Sequence, residues 1–183
     1  MKNSKLRNIT AVIAKVIEVI SWVGAACIAA GMLLLVICRD KIIEAYNNGY
    51  MDTQNLTVKN GNAEAFVQSI TSGKGFLFFI PFIVVLVLSA LIFRNIYIIF
   101  QKSNNASPFS TENVTRIKRI GYYALAVPVS KFVMYMAFVV CAGVKDFELS
   151  VSLSEVAFGL VALCLAQYFA YGAELQNEVD GLL

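Results

Sequence analysis

The sequence predicts an all-α integral membrane bundle of four helices. Both termini are expected on the cytoplasmic side, with one long extracytoplasmic loop between the first two helices. Three observations carry this reading. The 183 residues are 58% hydrophobic and 15% charged, where a soluble domain carries about 25% charge, and mean hydropathy is +0.70. The apolar residues fall in four blocks, each close to the roughly 20 residues that a spanning helix needs. No block alternates with a period of two, and backbone groups in hydrocarbon must be satisfied within their own segment, which selects helices over a barrel. This composition excludes a disordered chain, a nucleic-acid-binding tail and an ordinary soluble enzyme. A single membrane domain over 1–183 is expected.

The first span is placed at 16–38. Its stretch 19–38 has no charge, and Ser21 is its only hydroxyl. Lys2, Lys5 and Arg7 precede it as they would a signal peptide. The run is longer than a typical h-region, however, and no A-x-A site followed by a soluble domain appears, so it reads as a retained helix. Gly24, Gly31 and the alanines between them suit close helix contact. The outer loop, 39–74, is polar. Its beginning reads as an extension of the first helix with Gly49 as a stop, and Asn60-Gly61 is a turn signal. Ala63, Phe66, Val67 and Ile70 at helical spacing predict a short amphipathic helix.

The second span is placed at 75–100 and contains Pro81 and Ser89. The cytoplasmic loop, 101–119, contains Ser107-Pro108, which reads as an N-cap followed by Pro at the first helical position. A basic helix bearing Arg116, Lys118 and Arg119 is then expected to run straight into the third span, 120–144. Pro128 frees a carbonyl there and is read as a kink. The short connection to the fourth span, 152–173, forces spans three and four into an antiparallel hairpin.

Orientation follows from the flanking cations. With the N-terminus inside, nine Lys and Arg residues lie on cytoplasmic pieces and five on outer ones, Lys131 being counted as intramembrane. The expected location is therefore the bacterial cytoplasmic membrane, crossed several times, with both termini inside.

Two stretches carry a resemblance. Ser107-Pro108-Phe109, Glu112-Asn113-Val114 and Arg116-Ile117-Lys118-Arg119-Ile120-Gly121 lead into the third span. Tyr171-Gly172-Ala173-Glu174-Leu175-Gln176-Asn177-Glu178-Val179-Asp180 closes the fourth. Together they resemble the bacterial membrane-protein family of unknown function 2975 (DUF2975). Its members look similar throughout, with four predicted spans, an SPF…NV.R.R.IG lead-in to span three and a GaeLQeE.D tail. The chain departs from that tail at Gly181-Leu182-Leu183. The resemblance covers nearly the whole chain and implies a four-span membrane protein of unestablished activity. Members are often encoded beside a small helix-turn-helix regulator, which implies a regulatory or sensory role.

Residues for covalent or metal chemistry are sparse. The sequence has no His, and Cys27, Cys38, Cys141 and Cys164 form no C-x-x-C pair, so neither a metal nor a cofactor site is expected. Cys38 and Cys141 both fall near outer span ends, which leaves a disulfide and simple packing thiols as alternatives. No G-x-S-x-G, Walker or G-x-G-x-x-G motif is present, so no catalytic residue is assigned and the chain is read as non-enzymatic.

Ionisable groups inside spans are more informative, because they are costly in hydrocarbon and pair or line cavities. Lys131 falls near mid-membrane in span three, and Glu155 lies just inside the outer end of span four. Their levels differ by about one helical turn, within reach of a Lys stem. Two readings stand: a polar site for an ion, a proton or a lipid head group, and a buried ion pair that fixes helix register. Glu18, Arg94 and Gln167 form a second expected cluster at the inner end, with interfacial snorkelling as the alternative. Trp22, Tyr97, Phe100, Tyr122, Tyr123, Tyr168 and Tyr171 read mostly as interfacial anchors.

The cytoplasmic face is basic at Arg116, Lys118 and Arg119 and acidic at Glu174, Glu178 and Asp180. It is read as a surface for anionic lipids or a protein partner, or as two faces that satisfy each other. The expected function is a regulatory, sensory or immunity-type membrane protein working through a protein partner. The alternative is a small oligomeric transporter or channel subunit using Lys131 and Glu155. The expected partners are membrane lipids and a cytoplasmic regulatory protein, with homo-oligomerisation open and no direct nucleic-acid binding.

Overall fold

A computed structural model describes residues 2–41, 44, 48, 76–102, 110–142 and 153–180. They form four helices: α1 (Lys2–Ile37), α2 (Phe76–Lys102), α3 (Thr111–Ala142) and α4 (Leu153–Asp180). No strand occurs among the described residues. All four are long and apolar enough to cross a membrane, as the sequence predicts. The helices outrun the expected spans. α1 begins at Lys2, and α4 carries the acidic tail as helix to Asp180. Helical turns continue past α1 at 39–41, and the Asn48 N–H bonds to the Glu44 carbonyl at 2.9 Å. The expected amphipathic helix at 63–71, the Asn60-Gly61 turn and the Ser107-Pro108 cap lie outside the described residues.

α3 starts at a defined cap. The Ser110 Oγ accepts the Asn113 N–H at 3.4 Å, and the Ser110 carbonyl accepts the Val114 N–H at 3.1 Å. The first bond satisfies a donor that the first helical turn leaves without an intrahelical partner, and the second begins the intrahelical series. Glu112 occupies that turn, where the helix dipole favours an anion.

Contacts divide the chain into two units. The first holds Met1–Val23, Leu86–Pro128 and Ser152–Leu183. Its apolar core is Ile92 of α2, Ile120 and Ala124 of α3, and Ala162 of α4, with Ile96, Ile99, Tyr123 and Val127 packed around them. The second holds Gly24–Val85 and Val129–Val151. Within it an apolar groove runs along Ile28, Met32 and Leu35 of α1 to Phe79 of α2.

The pattern of burial is that of a protein solvated by lipid. On α1 the covered positions are Ala14, Glu18, Ser21 and Ala25, one stripe at steps of four, three and four. Ile13, Val16, Ile20 and Trp22 lie outward, Ile20 at 64% exposure. Among the described residues, six of the nine buried apolar ones are alanine. Lipid tails are as apolar as leucine, so burying large side chains gains little there, and small residues that admit close backbones are favoured instead.

Candidate functional site

The α3–α4 hairpin fixes the levels of the charged end. A Cβ added to Gly121 would lie 2.7 Å from the Leu163 Cγ and 3.2 Å from the Gly159 carbonyl oxygen. A Cβ added to Gly159 would lie 2.8 Å from the Leu125 Cγ and 3.2 Å from the Leu125 nitrogen. Each helix thus seats a leucine over the other's glycine. Reading outward from this crossing in antiparallel register, Arg116 of α3 stands about level with residues 166–168 of α4. Glu174 then lies roughly 9–12 Å beyond Arg116 along the hairpin, with Glu178 a further turn out. The basic and acidic residues therefore stand at different levels along the hairpin.

Within the basic layer Lys118 and Arg119 are exposed. Arg116 is largely covered, its side chain 17% exposed, and bonds to Glu112 one turn back at 2.6 Å. Glu174 and Glu178 are exposed, together with Tyr171 and Leu175. These four occupy i, i+3, i+4 and i+7 positions, which places them on one face of α4.

Of the expected inner cluster, Glu18 is 5% exposed, whereas Arg94 and Gln167 are exposed. The partner of Glu18 is Lys15, Nζ to Oε2 at 3.0 Å, and the same ammonium sits 5.1 Å from the Tyr97 ring centroid. Among the described residues, the other buried polar groups of this unit on α1 and α2 are Ser21 and Asn95. Both donate to their own helix, Ser21 Oγ to the Ile17 carbonyl at 2.8 Å and Asn95 Nδ2 to the Leu91 carbonyl at 2.7 Å. Such back-bonding removes much of the cost of burying a polar group in an apolar medium.

Glu155 belongs to the first unit. It lines a cleft of about 210 Å³ with Ile92, Ala124, Val127 and Phe158, and its Oε2 is shielded from the surroundings. Lys131 belongs to the second unit, is half-buried and is held by polar or electrostatic interaction. Cys27, Cys38 and Cys164 are free thiols, and the Cys141 side chain lies outside the described residues.

A family model described as protein of unknown function (DUF2975) matches residues 57–181, more than half the chain. The chain belongs to DUF2975. The match includes three of the four spans, the charged end of the hairpin and both glycines of the crossing. No curated protein and no solved structure matches this chain.

For this DUF2975 chain, sequence reasoning missed the helix crossing, although its signal is plain. Gly121-Tyr122-Tyr123-Ala124-Leu125 and Gly159-Leu160-Val161-Ala162-Leu163 repeat one Gly-x-x-Ala-Leu pattern. Gly31 of the first span makes no such close approach, since a Cβ there would meet nothing within 4 Å. Asn95 was missed beside Arg94. Asn95 continues the covered positions of α2 after Ala90 and Ile92, and Arg94 points away from them.

Proposed function

We propose that this protein is a non-enzymatic regulatory, sensory or immunity-type membrane protein of the bacterial cytoplasmic membrane. In this reading both termini are inside, and the protein acts by docking a cytoplasmic protein on the end of α4. The observation that supports it is the exposed face formed by Tyr171, Glu174, Leu175 and Glu178. An acidic pair framing a tyrosine and a leucine, set about two turns beyond the basic layer, has the chemistry to receive a basic amphipathic helix. Its distance from Lys118 and Arg119 leaves the acids available to a partner. Those two cations fit the anionic headgroups of the inner leaflet.

The test is purification from the native membrane after crosslinking, with mass spectrometry of what accompanies the full chain. A reproducible protein partner is expected, lost on Glu174→Lys/Glu178→Lys and weakened when Arg116, Lys118 and Arg119 are neutralised. A preparation that carries only lipid overturns the reading.

A second reading is favoured by one observation, the shielded Glu155 carboxylate in its cleft. In it the chain is a small oligomeric transporter or channel subunit with a polar site at Lys131 and Glu155. Ion or proton flux in proteoliposomes, abolished by Glu155→Gln, would support that reading, and its absence would remove it.

A further inference from the structure

We infer that α1 and α2 form a binding site for an anionic phospholipid, with the phosphate held at Arg7. The site is a groove of about 470 Å³ in the first unit, away from the α4 face and independent of its role. Three features select the ligand.

The first is polarity along the groove. Arg7, Asn8 and Gln101 gather at one end, where α1 begins and α2 finishes. Beyond them the lining is mostly apolar, with Ala11, Val12, Val16 and Tyr97 beside a Lys15 already paired with Glu18, and Val12 and Val16 are also open to the surroundings. A charged, hydrogen-bonding end followed by an apolar trough that opens onto the lipid-facing side of α1 matches a headgroup followed by an acyl chain.

The second is charge. Arg7 and Lys15 both line the groove. Lys15 is engaged with Glu18 and the Tyr97 ring. Among the described residues Arg7 makes no hydrogen bond or ion pair, and its planar fork has the geometry to donate to two phosphate oxygens. The Asn8 and Gln101 amides stand beside it as further donors.

The third is space. Arg7, Ala11 and Lys15 fall on one ridge of α1 at intervals of four. The alanine between the two long cations leaves the hollow that a phosphate and the start of its glycerol backbone would fill.

Native mass spectrometry of the full chain, released from bilayers of equal phosphatidylglycerol and phosphatidylcholine, tests the site. Phosphatidylglycerol should be retained preferentially. Arg7→Gln should cut that retention about fivefold, the effect of one basic residue at an anionic surface, and Arg7→Lys should restore part of it. Ala11→Phe should cut it without changing charge, and Arg119→Gln, on the separate lipid-facing surface of α3, should cut it less than Arg7→Gln does. Helical content by circular dichroism confirms that each variant is folded, and the wild-type preference stands as a test even where a variant fails. Equal retention of the two lipids overturns the inference. So does retention that ignores Arg7→Gln and Ala11→Phe but falls with Arg119→Gln. Displacement of the lipid by millimolar inorganic phosphate would equally overturn it, since the acyl groove would then contribute nothing.

Discussion

Leu163 of α4 lies over Gly121 of α3 so closely that a Cβ on the glycine would come within 2.7 Å of the leucine Cγ. The relationship is reciprocal, with Leu125 of α3 over Gly159 of α4. Ala124 and Ala162, each next to its leucine, are buried in the same core. One five-residue pattern used twice therefore builds a self-complementary helix crossing. It sets the register that separates the basic and acidic layers at the end of the hairpin.

Gly121→Ala and Gly159→Ala should each destabilise the protein by about 1–3 kcal/mol, the usual cost of an overpacked contact. The obstructing atom is Cγ, close to the backbone, so the leucine has little freedom to yield. Gly31→Ala is the matched comparison. With open space around it, the gain in helix propensity should raise stability by about 0.5–1 kcal/mol. Thermal unfolding in a single detergent checks the order. Equal effects at Gly31 and Gly121 would show that the crossing is not tight.

Ser110→Ala should cost about 1 kcal/mol, since it removes the acceptor at the start of α3. Ser107→Ala should cost less. Hydrogen exchange at Asn113 and Val114 gives a local reading, and faster exchange in the Ser110 variant alone is the expected result.

The fold was legible because lipid imposes few solutions. Charge-free runs such as 19–38 leave a helix as the only chain conformation that satisfies its backbone. The helix crossing was harder to see, because spacing rules mark large apolar residues and lipid-exposed helices put those outside. Val16 and Ile20 of α1 face outward while Glu18 and Ser21 face in. In a water-soluble helix the opposite face would be the buried one. In the expected inner cluster Glu18 is covered while Arg94 and Gln167 are exposed. Arg94 and Gln167 were joined to Glu18 by depth alone, and depth does not fix the face of a helix. The cation that meets Glu18 is Lys15, three residues before it on the same helix.

Glu18 is covered while Lys15 is about half exposed, so the pair is asymmetric. Lys15→Met should leave a buried carboxylate without its counterion and lose the Tyr97 contact. With allowance for solvent screening of an exposed ammonium, the expected cost is about 1–3 kcal/mol. Lys15→Met/Glu18→Met should recover most of it, because removing both partners removes the desolvation penalty. Chemical denaturation of the two variants checks this. A double variant no more stable than Lys15→Met would mean that the ion pair is not what burial of Glu18 depends on.

Lys131 and Glu155 provide the sharpest test of whether the hairpin carries a polar site. The sequence levels them within about a turn, and each takes part in an interaction in the structure. If they pair, Lys131→Met and Glu155→Gln should be strongly non-additive, with a coupling of about 0.5–3 kcal/mol in a double-mutant cycle. A structural pair predicts coupling in stability alone. A functional site predicts in addition that Glu155→Gln changes flux or partner recovery at unchanged stability. Additive stability effects, together with Lys131→Met that alters neither expression, thermal stability nor phenotype, would remove both readings at once.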